Sequence, residues 1–205
     1  MSILQSTART RRSSHPSGDK TFRPAATVKC VGRQVFRSQV ARDVGCLLDV
    51  DPEVTAWSCM ATTLSLGDDF HVADFTVTTV HGYTLLLDAP DRRNEHLHET
   101  IAQAAHAGDR GYRVFDLASL REGYRLQNAR DLLRYGNHQC PLGDRVRLLA
   151  ALEEYGSMTV SESLNAFKET SPMAGLATLA LHGYIEIELD EGPIGPETIV
   201  RRLRR

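Results

Sequence analysis

The chain predicts an α/β protein: a sheet flanked by helices over residues 28–136, then a small, mainly helical unit over 144–205. Three observations carry that expectation. The runs at 55–66, 70–80 and 83–89 are rich in β-branched residues and alternate with the two-residue period of strands. The segments around 34–54, 92–111 and 126–136 place apolar residues at helical spacing instead. Beyond residue 144 come three short helical patterns followed by one alternating stretch.

The elements follow in order. In QVFRSQVARDVGCLLDVDPEV, Val35, Phe36, Val40, Val44, Leu47 and Leu48 recur at roughly helical spacing, and Asp51-Pro52 stops the helix. TAWSCMATTLSL reads as one strand. FHVADFTVTTV and YTLLLDA read as two more, joined by a tight turn at His81-Gly82. RRNEHLHETIAQAAHAGDRG is helical, with Leu97 and Ile101 on one face, and Gly108 and Gly111 close it. YRVFDLASL is a short strand running into a turn. LQNARDLLRYG is an amphipathic helix ended by Gly136.

NHQCPLGD reads as a linker. After it, DRVRLLAALEEYG forms a helix ended by Gly156. TVSESLNAF starts with Thr159 as a cap and Glu162 three residues on, the spacing of a capping box. SPMAGLATLALHG has Ser171 as a cap and Pro172 in the first turn. With the strand YIEIELD behind them, these three helices have the order of a winged helix-turn-helix.

Composition narrows the function classes. Of the 205 residues, 41% are hydrophobic and 24% charged, and the net charge is -2. That balance carries no global nucleic-acid signature, so any basic surface must be local. The four cysteines (Cys30, Cys46, Cys59 and Cys140) form no CxxC pair, so no zinc site and no disulfide framework is expected. Reduced thiols in a cytoplasmic protein follow. No apolar run reaches the length of a bilayer span, and the N-terminus lacks the apolar stretch of a secretory signal. Residues 1–27 read as a flexible basic arm, either a leader without a role or an arm that lies on phosphates through Arg9, Arg11 and Arg12.

The chemistry-bearing candidates are acidic. Asp74 and Asp88 stand at the edges of neighbouring strand-like runs, and Asp43 lies on the preceding helix. Carboxylates so placed are hard ligands suited to Mg²⁺ beside a scissile phosphate. The same pattern also fits a plain hairpin with acidic ends. His96 and His98, two apart on a helix, sit on different faces and read as a solvated helix start. There is no nucleophile-elbow motif and no phosphate-binding glycine loop. In the C-terminal unit, PMAGLATLALHG lacks the Arg, Lys, Asn or Gln that read base edges, and Met173, Leu176, Leu179 and Leu181 suit packing, protein contact or dimerisation. Arg130 and Arg134 are four apart on one helix face and form a candidate phosphate track.

The run FRSQVARDVGCLLDVDPEVTAW, then VADFTV, then GYTLLLDAP resembles the N-terminal nuclease domain of the TnsA-type endonuclease subunits of heteromeric transposases. Ser38 and Asp43 match that family's helix, Asp51-Pro52-Glu53-Val54 its second segment, Asp74-Phe75 its acidic strand, and Asn128 the Asn that starts its last helix. The likeness spans most of residues 33–190. It implies a restriction-endonuclease-like mixed sheet flanked by helices, followed by a winged helix-turn-helix, with Asp43, Asp74 and Asp88 as catalytic groups and Asp74 and Asp88 as Mg²⁺ ligands.

The departures from the pattern bear on the chemistry. The helical Glu is shifted or replaced by Asp43, Ala73 stands where the family has Pro, and the acid-x-Lys motif reads Asp88-Ala89-Pro90. Without the Lys, the group that orients water and neutralises developing charge is missing. Arg92 or Arg93 reaching in from the next turn cannot act as a base. The expected function is therefore binding of double-stranded DNA by a degenerate nuclease-like protein, in transcriptional regulation or a mobile-element complex. Contacts to DNA are expected from Arg9, Arg11, Arg12, Arg92, Arg93, Arg130 and Arg134. The alternatives are an active Mg²⁺-dependent endonuclease, and a protein-interaction module that docks or homodimerises through the winged helix without touching DNA.

Overall fold

A computed structural model describes residues 22–203. The expected α/β layering is present: a four-stranded mixed sheet, with strands in the order β1-β4-β5-β6, lies between helices. Here β1 is Val54–Cys59, β4 is Phe75–Thr79, β5 is Thr84–Asp88 and β6 is Gly111–Val114. The first three pair antiparallel, and β6 joins β5 in parallel. The parallel pairing requires a crossover, and helix α2 (His98–Ala107) supplies it.

Two of the expected strands are each broken in two. TAWSCMATTLSL divides at Met60, whose φ of 47° turns the chain, so that β1 stays in the main sheet and β2 (Thr63–Leu66) leaves it. FHVADFTVTTV divides at Ala73-Asp74 into β3 (Asp69–Val72) and β4, and β2 and β3 form their own hairpin. The alternating pattern is continuous through both breaks, so periodicity alone does not reveal them. The turn expected at 81–82 is present, with Gly82 at φ 80°.

Helix α1 (Gln39–Val50) begins four residues later than the apolar pattern suggests. The Ser38 side chain accepts the Ala41 amide and fixes the N-cap there. Phe36, left outside the helix, packs instead with Trp57 and Phe75. Helix α1 is buried on every side from Ala41 to Asp49, polar residues included. Arg42 donates to the carbonyls of Pro24 and Ala26, and Asp49 Oδ1 accepts the amides of Val28 and Lys29 and the Trp57 indole N–H. One turn after another, the helix thus pins a strap of residues 23–31. The strap continues beside β1, with the Cys30–Trp57 pair in parallel register.

The remaining helices of the first unit are α3 (Leu117–Arg121) and α4 (Arg125–Leu133). The C-terminal unit runs α5 (Leu142–Tyr155), β7 (Ser157–Thr159), α6 (Val160–Ser163), α7 (Pro172–Leu181), β8 (Ile185–Ile187) and β9 (Ile199–Arg202). Its strands form a three-stranded sheet in the order β7-β9-β8. The capping box of Thr159 and Glu162 is formed. Ser171, by contrast, makes no side-chain cap bond, and Pro172 alone marks that helix start.

A single apolar core runs through both units. Trp57, Phe75 and Leu87 of the sheet, Leu133 of α4, Leu148 of α5 and Leu176 of α7 belong to it. A smaller cluster of Leu64, Ala73, Leu86, Ile101 and Ala105 fills the other face of the sheet under α2. Asn128 ties the units together. Its Nδ2 donates to the carbonyls of Leu189 and Gly192, and its Oδ1 accepts the Ile194 amide. Arg125 adds a two-pronged ion pair to Asp190, at 2.7 and 2.6 Å. No described helix is long and apolar enough to cross a membrane.

Candidate functional site

Strands β4 and β5 pair Phe75 with Leu87, so the next pair outward is Asp74 opposite Asp88. Sequence reasoning singled out these two residues, and the hairpin register brings them together at its open end. Both are buried, with Asp74 3% and Asp88 0% exposed. Two like charges facing each other across a ladder repel, and burial sharpens the cost. The surroundings answer both problems.

Each aspartate first receives a backbone amide from the other's strand end. The Asp74 amide donates to Asp88 Oδ1 at 3.0 Å, and the Ala89 amide donates to Asp74 Oδ2 at 3.0 Å. Cations complete the shell. Arg37, just before α1, donates to both oxygens of Asp74 at 3.2 Å. The same guanidinium grips Asp91, at 2.6 and 3.2 Å. Arg92 donates to Asp74 Oδ1 at 3.1 Å, lies 3.7 Å from Asp88 Oδ1, and anchors itself on the Val72 carbonyl at 2.7 Å.

The other oxygen of Asp88 is as crowded. Asn94 Nδ2 donates to Oδ2 at 3.1 Å and the Tyr112 hydroxyl at 2.9 Å. His71 Nε2 lies 2.9 Å away. An ionised carboxylate can only accept, so His71 carries a proton on that nitrogen. Burial alone would push the Asp88 carboxyl up. The His71 hydrogen bond, the Arg92 charge and the Asp74 amide overcome it and hold the group at about 2. The Tyr112 hydroxyl is pushed up by burial and by the adjacent Asp88 charge. Asp91 is likewise held low: burial opposes, but the Arg37 and Ser38 hydrogen bonds prevail.

This constellation does not fit a divalent cation. Mg²⁺ needs carboxylate lone pairs free to face it in near-octahedral geometry. Here the oxygens of Asp74 and Asp88 accept from two guanidiniums, two amides, an imidazole, a carboxamide and a phenol. The positive charge a metal would bring is already supplied by Arg37 and Arg92. Among the described residues, no cluster of three or more His, Cys, Asp or Glu is arranged to hold a metal ion.

The third acid lies in a different network. Asp43 Oδ1 accepts from Gln39 at 2.8 Å and from Arg130 Nη2 at 2.6 Å. It fastens α1 to α4 instead of completing an acidic triad. Arg130 is thereby committed to an ion pair, and Arg134, largely exposed, pairs with Asp131 at 3.3 Å. Arg93 is exposed. Arg9, Arg11 and Arg12 lie outside the described residues. Sequence reasoning reached Arg92 but missed Arg37, Asn94 and Tyr112. Asn94 and Tyr112 follow Asp88 by 6 and 24 positions, and Arg37 precedes Asp74 by 37. No local pattern joins positions so far apart.

In α7, residues from Ala174 to Leu179, and Leu181, are all buried, so the helix that would enter a groove is core. A groove on the three-stranded sheet is lined by Glu186, Glu188, Glu191, Ile199 and Arg201, with acids predominating. No protein-family model matches the chain, and no curated protein matches it either.

Proposed function

We propose that this chain is a DNA-binding protein built on a nuclease-like unit that does not cut, acting in transcriptional regulation or in a mobile-element DNA complex. The reading of that unit as restriction-endonuclease-like, and of the C-terminal unit as a winged helix, rests on the TnsA-type resemblance and on the order of elements. A single observation carries the absence of cutting: the oxygens of Asp74 and Asp88 are bonded to Arg37, Arg92, His71, Asn94, Tyr112 and two backbone amides. Cleavage needs those oxygens to hold a metal against the phosphate. An Arg can neither act as a base nor release its place cheaply, because an unpaired buried carboxylate is costly.

The C-terminal unit, with α7 in the core and an acidic groove on its sheet, acts as a buttress or a protein-docking element. Leu142 and Val146, on the outer face of α5 at 63% and 56% exposure, favour protein contact as the second reading.

The test is retention of labelled genomic fragments by the purified protein at low salt, with and without Mg²⁺, followed by a denaturing gel. The expected result is intact, retained DNA whose binding weakens steeply with salt. Mg²⁺-dependent nicks that Asp74→Ala abolishes would establish the active endonuclease instead. No retention even at low salt would leave the protein-interaction module.

A further inference from the structure

Between the two units lies a cavity of about 630 Å³, on the opposite face of the sheet from the Asp88 side chain. Its floor is apolar and comes from the ends of two core elements. Phe115 follows β6, and its amide on the Asp88 carbonyl at 2.8 Å carries the ladder one residue further. Phe115 therefore shares a face with Arg113, two residues back. That face looks toward α1, because Arg113 pairs with Leu87, which belongs with Leu47 and Leu48 to the main core. Leu47, Leu48 and Phe115 all line the cavity.

The walls are loops held in close contact. Asp116 caps α3, and Glu122 ends it. Gly123 then turns the chain at a φ of 58°, which favours glycine. A β-carbon there would stand 3.0 Å from the Asp190 carbonyl oxygen, so the α3–α4 loop is pressed against the loop that follows β8. Arg125 clamps the Asp190 carboxylate with Nε and Nη2, which leaves Nη1 outside the pair.

The rim carries charges of both signs that the fold leaves unmatched. Among the described residues, the side chains of Arg113 and Glu122 have no hydrogen-bond or ion-pair partner. Asp51, the C-cap of α1, accepts the Glu53 amide on Oδ1. It stands at the negative end of the helix dipole, where a cation is favoured.

We infer that this cavity binds a free α-amino acid with an apolar side chain. The carboxylate pairs with Arg113 and with Nη1 of Arg125. The ammonium pairs with Glu122 and Asp51, and the side chain rests on Leu47, Leu48 and Phe115. Other ligand classes fit less well. An anion such as phosphate meets Asp51, Glu122 and Asp190 against Arg113 and an Arg125 already paired. A simple amine leaves Arg113 unmatched. A neutral apolar molecule strips water from the rim charges without replacing it. The volume falls within the roughly 300–1,000 Å³ of small-molecule sites, which gather at junctions between units. A ligand here touches α1, the α3–α4 loop and the Asp190 loop at once, and so tightens the tie between the units. The inference does not depend on whether the protein binds DNA.

The experiment titrates the isotope-labelled full chain with L-phenylalanine and with L-leucine and follows the amide spectrum. Saturable shifts centred on Phe115, Ser119, Gly123 and Arg125 are expected. Phenethylamine lacks the carboxylate, and hydrocinnamate lacks the ammonium. Each is expected to bind about 10–100-fold more weakly than L-phenylalanine, the loss of one charge-assisted contact. Arg113→Ala and Glu122→Gln are expected to weaken amino-acid binding to a similar degree. Both side chains are exposed, and unchanged melting curves would show that the variants keep the fold. The absence of saturable shifts with either amino acid at about 10 mM would overturn the site. Equal binding of the two analogues would overturn zwitterion recognition, and binding that Arg113→Ala leaves unchanged would place the ligand elsewhere. The analogue series decides the question even if a variant folds poorly.

Discussion

Asp88 concentrates the chemistry of the site in one carboxylate. Its folded value of about 2 lies below the ordinary 3.8, so the folded state resists its protonation. A depressed acid contributes stability that is full above the unfolded value and lost as pH falls through the folded one. We expect about 2 kcal/mol to disappear between pH 4 and pH 2, read by urea titration across that range, with Asp88→Asn flattening the slope. Arg92→Ala removes a guanidinium that is 16% exposed from two buried acids. The expected cost is about 3 kcal/mol. The variant should regain part of that loss in Mn²⁺, because the uncovered pair then accepts a cation. Wild-type unfolding should be indifferent to Mn²⁺ in the same titration. A wild-type chain stabilised by Mn²⁺ would mean that the guanidiniums do not fill the metal's place.

At the scale of elements, α1 is a central helix that works through its polar residues as much as its apolar ones. Asp49 Oδ1 accepts three N–H groups from the strap and β1. Asp49→Ala strands all three, and an unmade buried bond costs more than a made one gains. A loss of about 3 kcal/mol is expected, with protease cleavage appearing within residues 23–31 before global unfolding. The cap at Thr159 is a smaller device. Thr159→Ala removes the reciprocal bonds with Glu162 and should cost about 1 kcal/mol in thermal melts.

Across the whole molecule, the shared core joins what the sequence divides into two units. Leu176 of α7 and Leu133 of α4 are both fully buried in it. Leu176→Ala should therefore cost about 2–5 kcal/mol and lower one common transition followed by any probe. Residues 22–136 expressed alone should lose the cooperative transition, because Leu133, Ala129 and α1 would face water where α7 now packs. Two separate transitions in the full chain would contradict the single core.

By itself, the sequence determined the layering, most of the helices, the turn at Gly82, the capping box at Thr159 and the acidic pair. Each of these is written in local period, cap chemistry or turn residues, which act over a few positions. It also pointed to packing as the role of α7, because an almost wholly apolar helix has no polar face to offer. Only the tertiary structure decided where the strand runs break, that Asp43 belongs to Arg130, and that Arg37 and Arg92 take up the oxygens of Asp74, with Arg92 also facing Asp88. Those outcomes depend on which distant side chains meet when the sheet closes. Burial then forces every charge to find a partner, and a partner 37 positions away leaves no local mark in the chain.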